Sequence, residues 1–127
     1  MDADARSPVT GFSHLVLKVA DIDDSVAWYS KVLGLEESNR VAGRYVGLQS
    51  PDASVRIALF TGGAANSSGA LDHVAFSVSS LDELRSWTRH LTDLGVAHEG
   101  IKPNRLGHSV DLFDPDGNNI ELVSENP

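Results

Sequence analysis

Apolar and polar residues alternate along Ser13–Val19, with Leu15, Leu17 and Val19 in one row and His14, Val16 and Lys18 in the other. Period two marks a strand with one buried face. The period then lengthens. Ile22, Val26, Tyr29 and Leu33 recur at helical spacing, behind an N-cap candidate at Asp21 and ahead of Gly34, where a left-handed residue ends a helix well. Short strand candidates follow at about Tyr45–Gln49 and Val55–Phe60.

The second half repeats this order. Asp72–Val78 matches Ser13–Val19 at an offset of 59, so His73 falls on His14. The same offset pairs Ile22 with Leu81, Asp23 with Asp82 and Trp28 with Trp87, and the chain has only these two tryptophans. With a two-residue insertion, Leu33–Gly34 matches Leu94–Gly95. A repeat of this size indicates one supersecondary unit used twice. In the second unit Ser80–Leu81–Asp82–Glu83 is a capping box, and Leu81, Leu84, Trp87, Leu91 and Leu94 form the expected buried stripe. Strands are expected at about Val96–Gly100, Gly107–Phe113 and Asn119–Ser124, with Asp114–Pro115–Asp116–Gly117 as a turn. The expected organisation is a flexible tail over 1–10, modules over about 11–60 and 71–124, and a Gly/Ser/Asn-rich connection in 61–70.

Composition narrows the function. The 127 residues carry 18 Asp and Glu against 10 Lys and Arg, a net charge of −8. That balance argues against a nucleic-acid surface, which needs a basic footprint, and against docking on anionic lipid. No apolar run approaches the roughly 20 residues that span a bilayer, and Met1–Thr10 has no secretory signature, so a cytoplasmic protein is expected. There is no cysteine, so any metal must be held by His and carboxylates.

Three residues fit that role. His14 and His73 occupy equivalent positions opposite the aliphatic rows, and on the last strand Ile120 and Leu122 take the aliphatic face, leaving Glu121 on the histidines' side. Two imidazoles and a carboxylate form a facial triad with open positions, suited to Fe(II), Mn(II) and similar ions. The same residues also fit a plainer reading, as surface or hydrogen-bonded histidines and a solvated glutamate.

His14, the motif Leu71–Asp72–His73–Val74–Ala75–Phe76, and Asp114–Pro115–Asp116–Gly117–Asn118–Asn119–Ile120–Glu121–Leu122 together resemble the vicinal oxygen chelate superfamily, which contains glyoxalase I, extradiol dioxygenases, fosfomycin-resistance enzymes and bleomycin-resistance proteins. The resemblance runs from about Gly11 to Val123. It implies an α+β fold of two βαβββ modules whose mixed sheet curls around a central cavity. It also implies that His14, His73 and Glu121 ligate a divalent ion (Fe, Mn, Ni, Co or Zn), and that the substrate is a small molecule offering two vicinal oxygens. The reaction would be dioxygenase-like or a lyase/isomerase proton transfer. The alternative is a resistance-type protein that binds a small molecule without catalysis. Binding-only members lack the full ligand set, which favours an enzyme.

The branch signatures are incomplete. The repeat places Ala58 where glyoxalase I carries its fourth ligand, opposite Glu121. Asp111 stands where the extradiol and fosfomycin branches favour tyrosine, and no arginine follows Glu121. Asp111 itself has two readings. It pairs with Arg56 or Lys18, or lies at a solvated rim, or else it is a general base beside the metal. Arg56, Lys18 and Ser109 are the expected substrate-binding residues. His98 and His108 are expected on strand surfaces and His90 on the exposed side of the second helix. A homodimer with two equivalent sites is expected, since a C₂ pair is the commonest soluble oligomer.

Overall fold

Asp21 and Ser80 start the two helices by the same device. Each side chain accepts the backbone N–H of the residue three further on, at 2.9 Å for Asp24 and 3.1 Å for Glu83. The computed structural model describes residues 11–62 and 73–125. The tail expected over 1–10 and most of the connection expected over 61–70 lie outside the described residues.

In the first half the chain runs β1 (Leu15–Val19), α1 (Ile22–Leu33), β2 (Glu36–Val41), β3 (Tyr45–Gln49) and β4 (Arg56–Thr61). In the second it runs β5 (His73–Ser77), α2 (Leu81–Asp93), β6 (Lys102–Pro103), β7 (His108–Phe113) and β8 (Asn119–Ser124). Each half forms a four-stranded sheet with its first strand at one edge, in the orders β1-β4-β3-β2 and β5-β8-β7-β6. The first strand pairs parallel with the last and the remaining pairs are antiparallel. This is the α+β architecture of two βαβββ modules.

Sequence and structure part at four places. β2 was not expected. Its six residues, Glu-Glu-Ser-Asn-Arg-Val, are all exposed and carry no alternation, so only pairing with β3 makes them a strand. Residues 96–100 are not a strand, and the two-residue β6 comes later. Leu94 is exposed, because the helix has ended and Gly95 already turns the chain at φ +75°. His90 is half-buried, with Nε2 3.0 Å from the Val32 carbonyl oxygen of α1 and its ring edge-on to Trp87.

One continuous core joins the halves. Leu17, Val19, Ile57 and Leu59 in the first module and Val110, Leu112, Ile120 and Leu122 in the second are all buried on the helix sides of their sheets. Burial of each such side chain contributes roughly 1.5–3 kcal/mol.

A polar joint then fixes one module to the other. The turn Asp114–Gly117 is closed by the Gly117 N–H to the Asp114 carbonyl, with Gly117 at φ +81°. Asp114 and Asp116 are only 5% exposed. Asp114 Oδ1 accepts the N–H groups of Asp116 and Asn118, and its Oδ2 accepts Asn118 Nδ2 and, at 2.6 Å, the Tyr29 hydroxyl of α1. Asp116 accepts the Ala20 N–H at 3.0 Å and the Ser25 hydroxyl at 3.4 Å. Burial, and then the Asp114 charge, push the Tyr29 phenol far above its ordinary pKa, so it remains a donor at any working pH.

The corresponding turn of the first module is built differently. Asp52 is exposed and accepts the Ser50 hydroxyl and the Ser54 N–H and hydroxyl within its own hairpin. The Ser54 hydrogen bonds lower its pKa to about 2, with Ser50 adding to them.

Two predictions follow from these turns. Tyr29→Phe removes one charge-assisted donor from a buried carboxylate and is expected to cost about 1–3 kcal/mol. Urea unfolding should show a lower midpoint at unchanged slope, and an unaltered midpoint would deny the joint any energetic role. For Asp52 the folded pKa lies below the unfolded one. Its contribution is therefore complete above about pH 4 and is lost as pH falls through about 2. Carboxyl NMR of Asp52 should titrate near pH 2, and a midpoint near 3.9 would show that the hairpin bonds do not form.

Candidate functional site

Strand alternation decides which side chains share a face. Val110, Leu112, Ile120 and Leu122 pack on the helix side of the second sheet. The alternate residues therefore occupy the helix-free face. Asp111 lies directly opposite Glu121 on the neighbouring strand, and Ser109 opposite Val123. His73 lies opposite Asn119, and Ala75 opposite Glu121.

This register brings His73 and Glu121 together. Nε2 and Oε2 are 3.9 Å apart, with the side chains 40% and 21% exposed. That is too long for a hydrogen bond. It is within the ~4.2 Å that two ligand bonds of about 2.1 Å to one ion can span. A cavity of about 410 Å³ is lined by Asp111, Phe113, Asn119, Lys102 and the turn His98–Gly100. The Asn119 Oδ1 atom is buried there without a partner among the described residues. An unsatisfied buried acceptor is costly.

His14 is not part of this group. It is exposed, one residue ahead of β1, with Nδ1 3.0 Å from the Ser13 hydroxyl. Among the described residues no three His, Asp or Glu side chains are placed to hold an ion. Alternation from Val16 and Lys18 puts His14 on the helix-free face of the first sheet, level with Arg56 on β4. A further cavity, of about 480 Å³, lies where the first-module residues Phe12, Ser13, Leu15 and Arg56 approach Val74–Ser77 of β5. The repeat register also holds. Val16 pairs with Ala58 as Ala75 pairs with Glu121, so Ala58 is the structural counterpart of Glu121.

The expected pairing of Asp111 with Arg56 or Lys18 is not found, because both cations belong to the other sheet. The cation that senses Asp111 is Lys102 of β6. Its pKa is raised first by the 2.7 Å hydrogen bond to Glu99, then by the Glu99 charge, and at longer range by Asp111. Ser109 shares the face of Asp111 but is buried. His108 points to the Val110 side, as its position relative to Asp111 requires. His98 is committed to its own turn, accepting the Gly100 N–H at Nδ1 and meeting Thr92 Oγ1 at Nε2. Sequence reasoning passed over Asn119 and Lys102. Stepping back two residues from Glu121 along the strand locates Asn119. Lys102 had no such signal, since β6 is only two residues long.

The profile of the Glyoxalase/Bleomycin resistance protein/Dioxygenase superfamily matches residues 11–122, and the chain belongs to that superfamily. No curated protein matches the chain. Among solved structures it is similar to a glyoxylase/bleomycin resistance protein/dioxygenase domain from Frankia, at 27% identity and TM-score 0.78 over 92% of this chain and 93% of that one. It is also similar in fold to a lactoylglutathione lyase from Agrobacterium tumefaciens, at 23% identity and TM-score 0.78 over 93% and 96%. A third similar fold is a variant of the fosfomycin resistance protein FosX from Listeria monocytogenes, complexed with Mn(II) and 1S,2S-dihydroxypropylphosphonic acid, at 24% identity and TM-score 0.73 over 91% and 90%. No helix among the described residues is long and apolar enough to cross a membrane.

Proposed function

We propose that this chain is a divalent-metal-dependent enzyme of the lyase/isomerase kind. Its substrate is a small molecule with two neighbouring oxygens, its metal ligands are His14, His73 and Glu121, and its general base is Asp111. The observation that carries this reading is the helix-free face of the second sheet. There His73 and Glu121 face each other at 3.9 Å, and Asp111 stands one strand away from Glu121, on the rim of a cavity. An imidazole and a carboxylate held at that separation fit a divalent ion, and the Mn(II) complex of FosX shows a related fold holding one.

The third ligand comes from a second copy of the chain. One chain's described residues leave His14 apart from the pair, on an exposed face of the other sheet. A homodimer in which His14 of the partner subunit meets His73 and Glu121 gives two equivalent sites.

When bound, the ion supplies Lewis-acid polarisation of a substrate oxygen. The chain's own groups do the rest. Asp111 is half-buried and free of any ion pair among the described residues, so its carboxylate is available to take a proton from the carbon beside that oxygen. Lys102 and Asn119 line the same cavity as Asp111, so an ammonium and an amide border the space where the substrate lies. A carboxylate in this position, with no tyrosine, favours proton transfer over ring cleavage.

Separate roles make the reading testable. Glu121→Gln keeps the size but removes a ligand charge. Metal affinity should fall by more than the ~100-fold seen when a ligand's supporting partner is lost. Asp111→Asn should keep its metal and lose about 10²–10⁴ in turnover. Equal metal loss in both variants would make Asp111 a ligand, and unimpaired metal binding by Glu121→Gln would remove the site. Sedimentation should show a dimer at micromolar concentration, and a lone 13.6 kDa species would rule out a site shared between copies.

A further inference from the structure

One wall of the Asp111 cavity is a turn held by a histidine. His98 Nδ1 accepts the Gly100 N–H at 3.0 Å, and its Nε2 lies 2.9 Å from Thr92 Oγ1 in the last turn of α2. A side-chain acceptor that takes the N–H two residues on has the geometry of an Asx-turn, here made by an imidazole. Gly100 completes it at φ +84°, a region glycine enters without strain. His98 and Gly100 are both half-buried, and His98 has a cavity on either side. One is the space of about 410 Å³ that Asp111, Phe113 and Asn119 also line. The other, of about 380 Å³, lies against α2.

This geometry fixes the protonation state of the ring. A backbone N–H can only donate, so Nδ1 carries no proton. The one proton of the neutral ring is then on Nε2, where Thr92 Oγ1 accepts it. A second proton has to go to Nδ1, where it faces the Gly100 N–H, donor against donor. The charged groups bordering the two cavities are Arg89 and Asp93 of α2, Glu99 of the turn, Lys102 of β6 and Asp111 of β7. Among the described residues none of these carboxylates pairs with His98, and Glu99 is bonded to Lys102 at 2.7 Å. Protonation therefore breaks the turn's bond with no carboxylate in contact to replace it. The Glu99–Lys102 bond also ties the turn to β6, where Lys102 pairs with Ser109 of β7, two residues from Asp111.

We propose that His98 is a positioning residue for this site and its pH-sensitive clasp. Neutral, it holds residues 97–100 as a wall of the Asp111 cavity. Protonated, it releases that wall and admits water. The proposal rests on the reading of this cavity as the substrate's space. Histidine is the side chain whose charge changes between pH 5 and 8, so the wall is expected closed at pH 8 and released at pH 5.

NMR of the full-length, metal-free protein across that range reads the turn directly. Solvent exchange of the Gly100 amide, divided by the unstructured rate at each pH, should rise about tenfold on acidification and follow the His98 ring signals. The Ala97 methyl and Phe113 ring signals should follow the same curve. His98→Asn keeps an acceptor on Cγ for the Gly100 N–H but has no ring to titrate, so all three signals should stay at their pH 8 values. His98→Leu removes the acceptor, and Gly100 should exchange fast at both ends of the range. If His98→Leu does not fold, the comparison of wild type with His98→Asn remains decisive. Gly100 protection that is unchanged by pH in wild type, or that falls equally in His98→Asn, would overturn the proposal. So would Ala97 and Phe113 signals that stay fixed while Gly100 opens. Because no metal is present, Glu121→Gln gives the same curves. Failure of the metal site and failure of the clasp are thus read separately.

Discussion

Two carboxylates hidden from water hold this molecule together. Asp114 and Asp116 sit in a turn of the second module and are almost fully buried, yet their acceptors look into the first module, towards Ala20, Ser25 and Tyr29. A buried carboxylate costs several kcal/mol unless its oxygens are satisfied. Here satisfaction requires the start and middle of α1 to lie against the turn. The penalty for leaving these groups unmet makes docking of the modules part of folding, and the common apolar core then closes around the joint. The same turn starts β8, so the requirement that joins the modules also sets the register in which Glu121 faces His73 and Asp111.

Much of this was legible in the sequence because repetition supplies its own control. A helix signal seen once is weak, but the same caps, stripe and closing glycine at a fixed offset are hard to mistake. The faces of His73, Asp111 and Glu121 followed from alternation alone, since strands under a helix must put their aliphatic side chains inward. What stayed hidden depends on partners distant in the chain. The exposed polar β2 exists through its ladder to β3. The short β6 brings Lys102 to the cavity that Asp111 lines, while Arg56 and Lys18 stay on the other sheet. His90 reads as a surface residue until α1 is placed beside it. Alternation could not show whether His14 and His73 meet, because it assigns a side of a sheet and says nothing of how two sheets are set against each other.

The two sheets have also diverged in what they present. The second keeps its acids, Asp111 and Glu121, on the helix-free face. The first has Ala58 at the counterpart of Glu121 and carries Lys18 and Arg56 instead. One half of the repeat thus places acids on its helix-free face, and the other places cations and apolar side chains there.

The joint has no mirror in the other half. By the repeat, Tyr29 corresponds to Thr88, whose hydroxyl is turned back on the Arg85 carbonyl of its own helix, and Ser25 corresponds to the apolar Leu84. The hairpin around Asp52, counterpart of the buried turn, is bonded to itself. Its neighbours Ser50 and Val55 line a hollow of about 120 Å³ with Phe76, Ser77, Val78 and Trp87 of the second module. One junction is held through two buried carboxylates, and the other through the contact of His90 Nε2 with the Val32 carbonyl beside that hollow. A duplicated unit has thus closed its two seams by unequal means, a charged turn on one side and a neutral ring on the other.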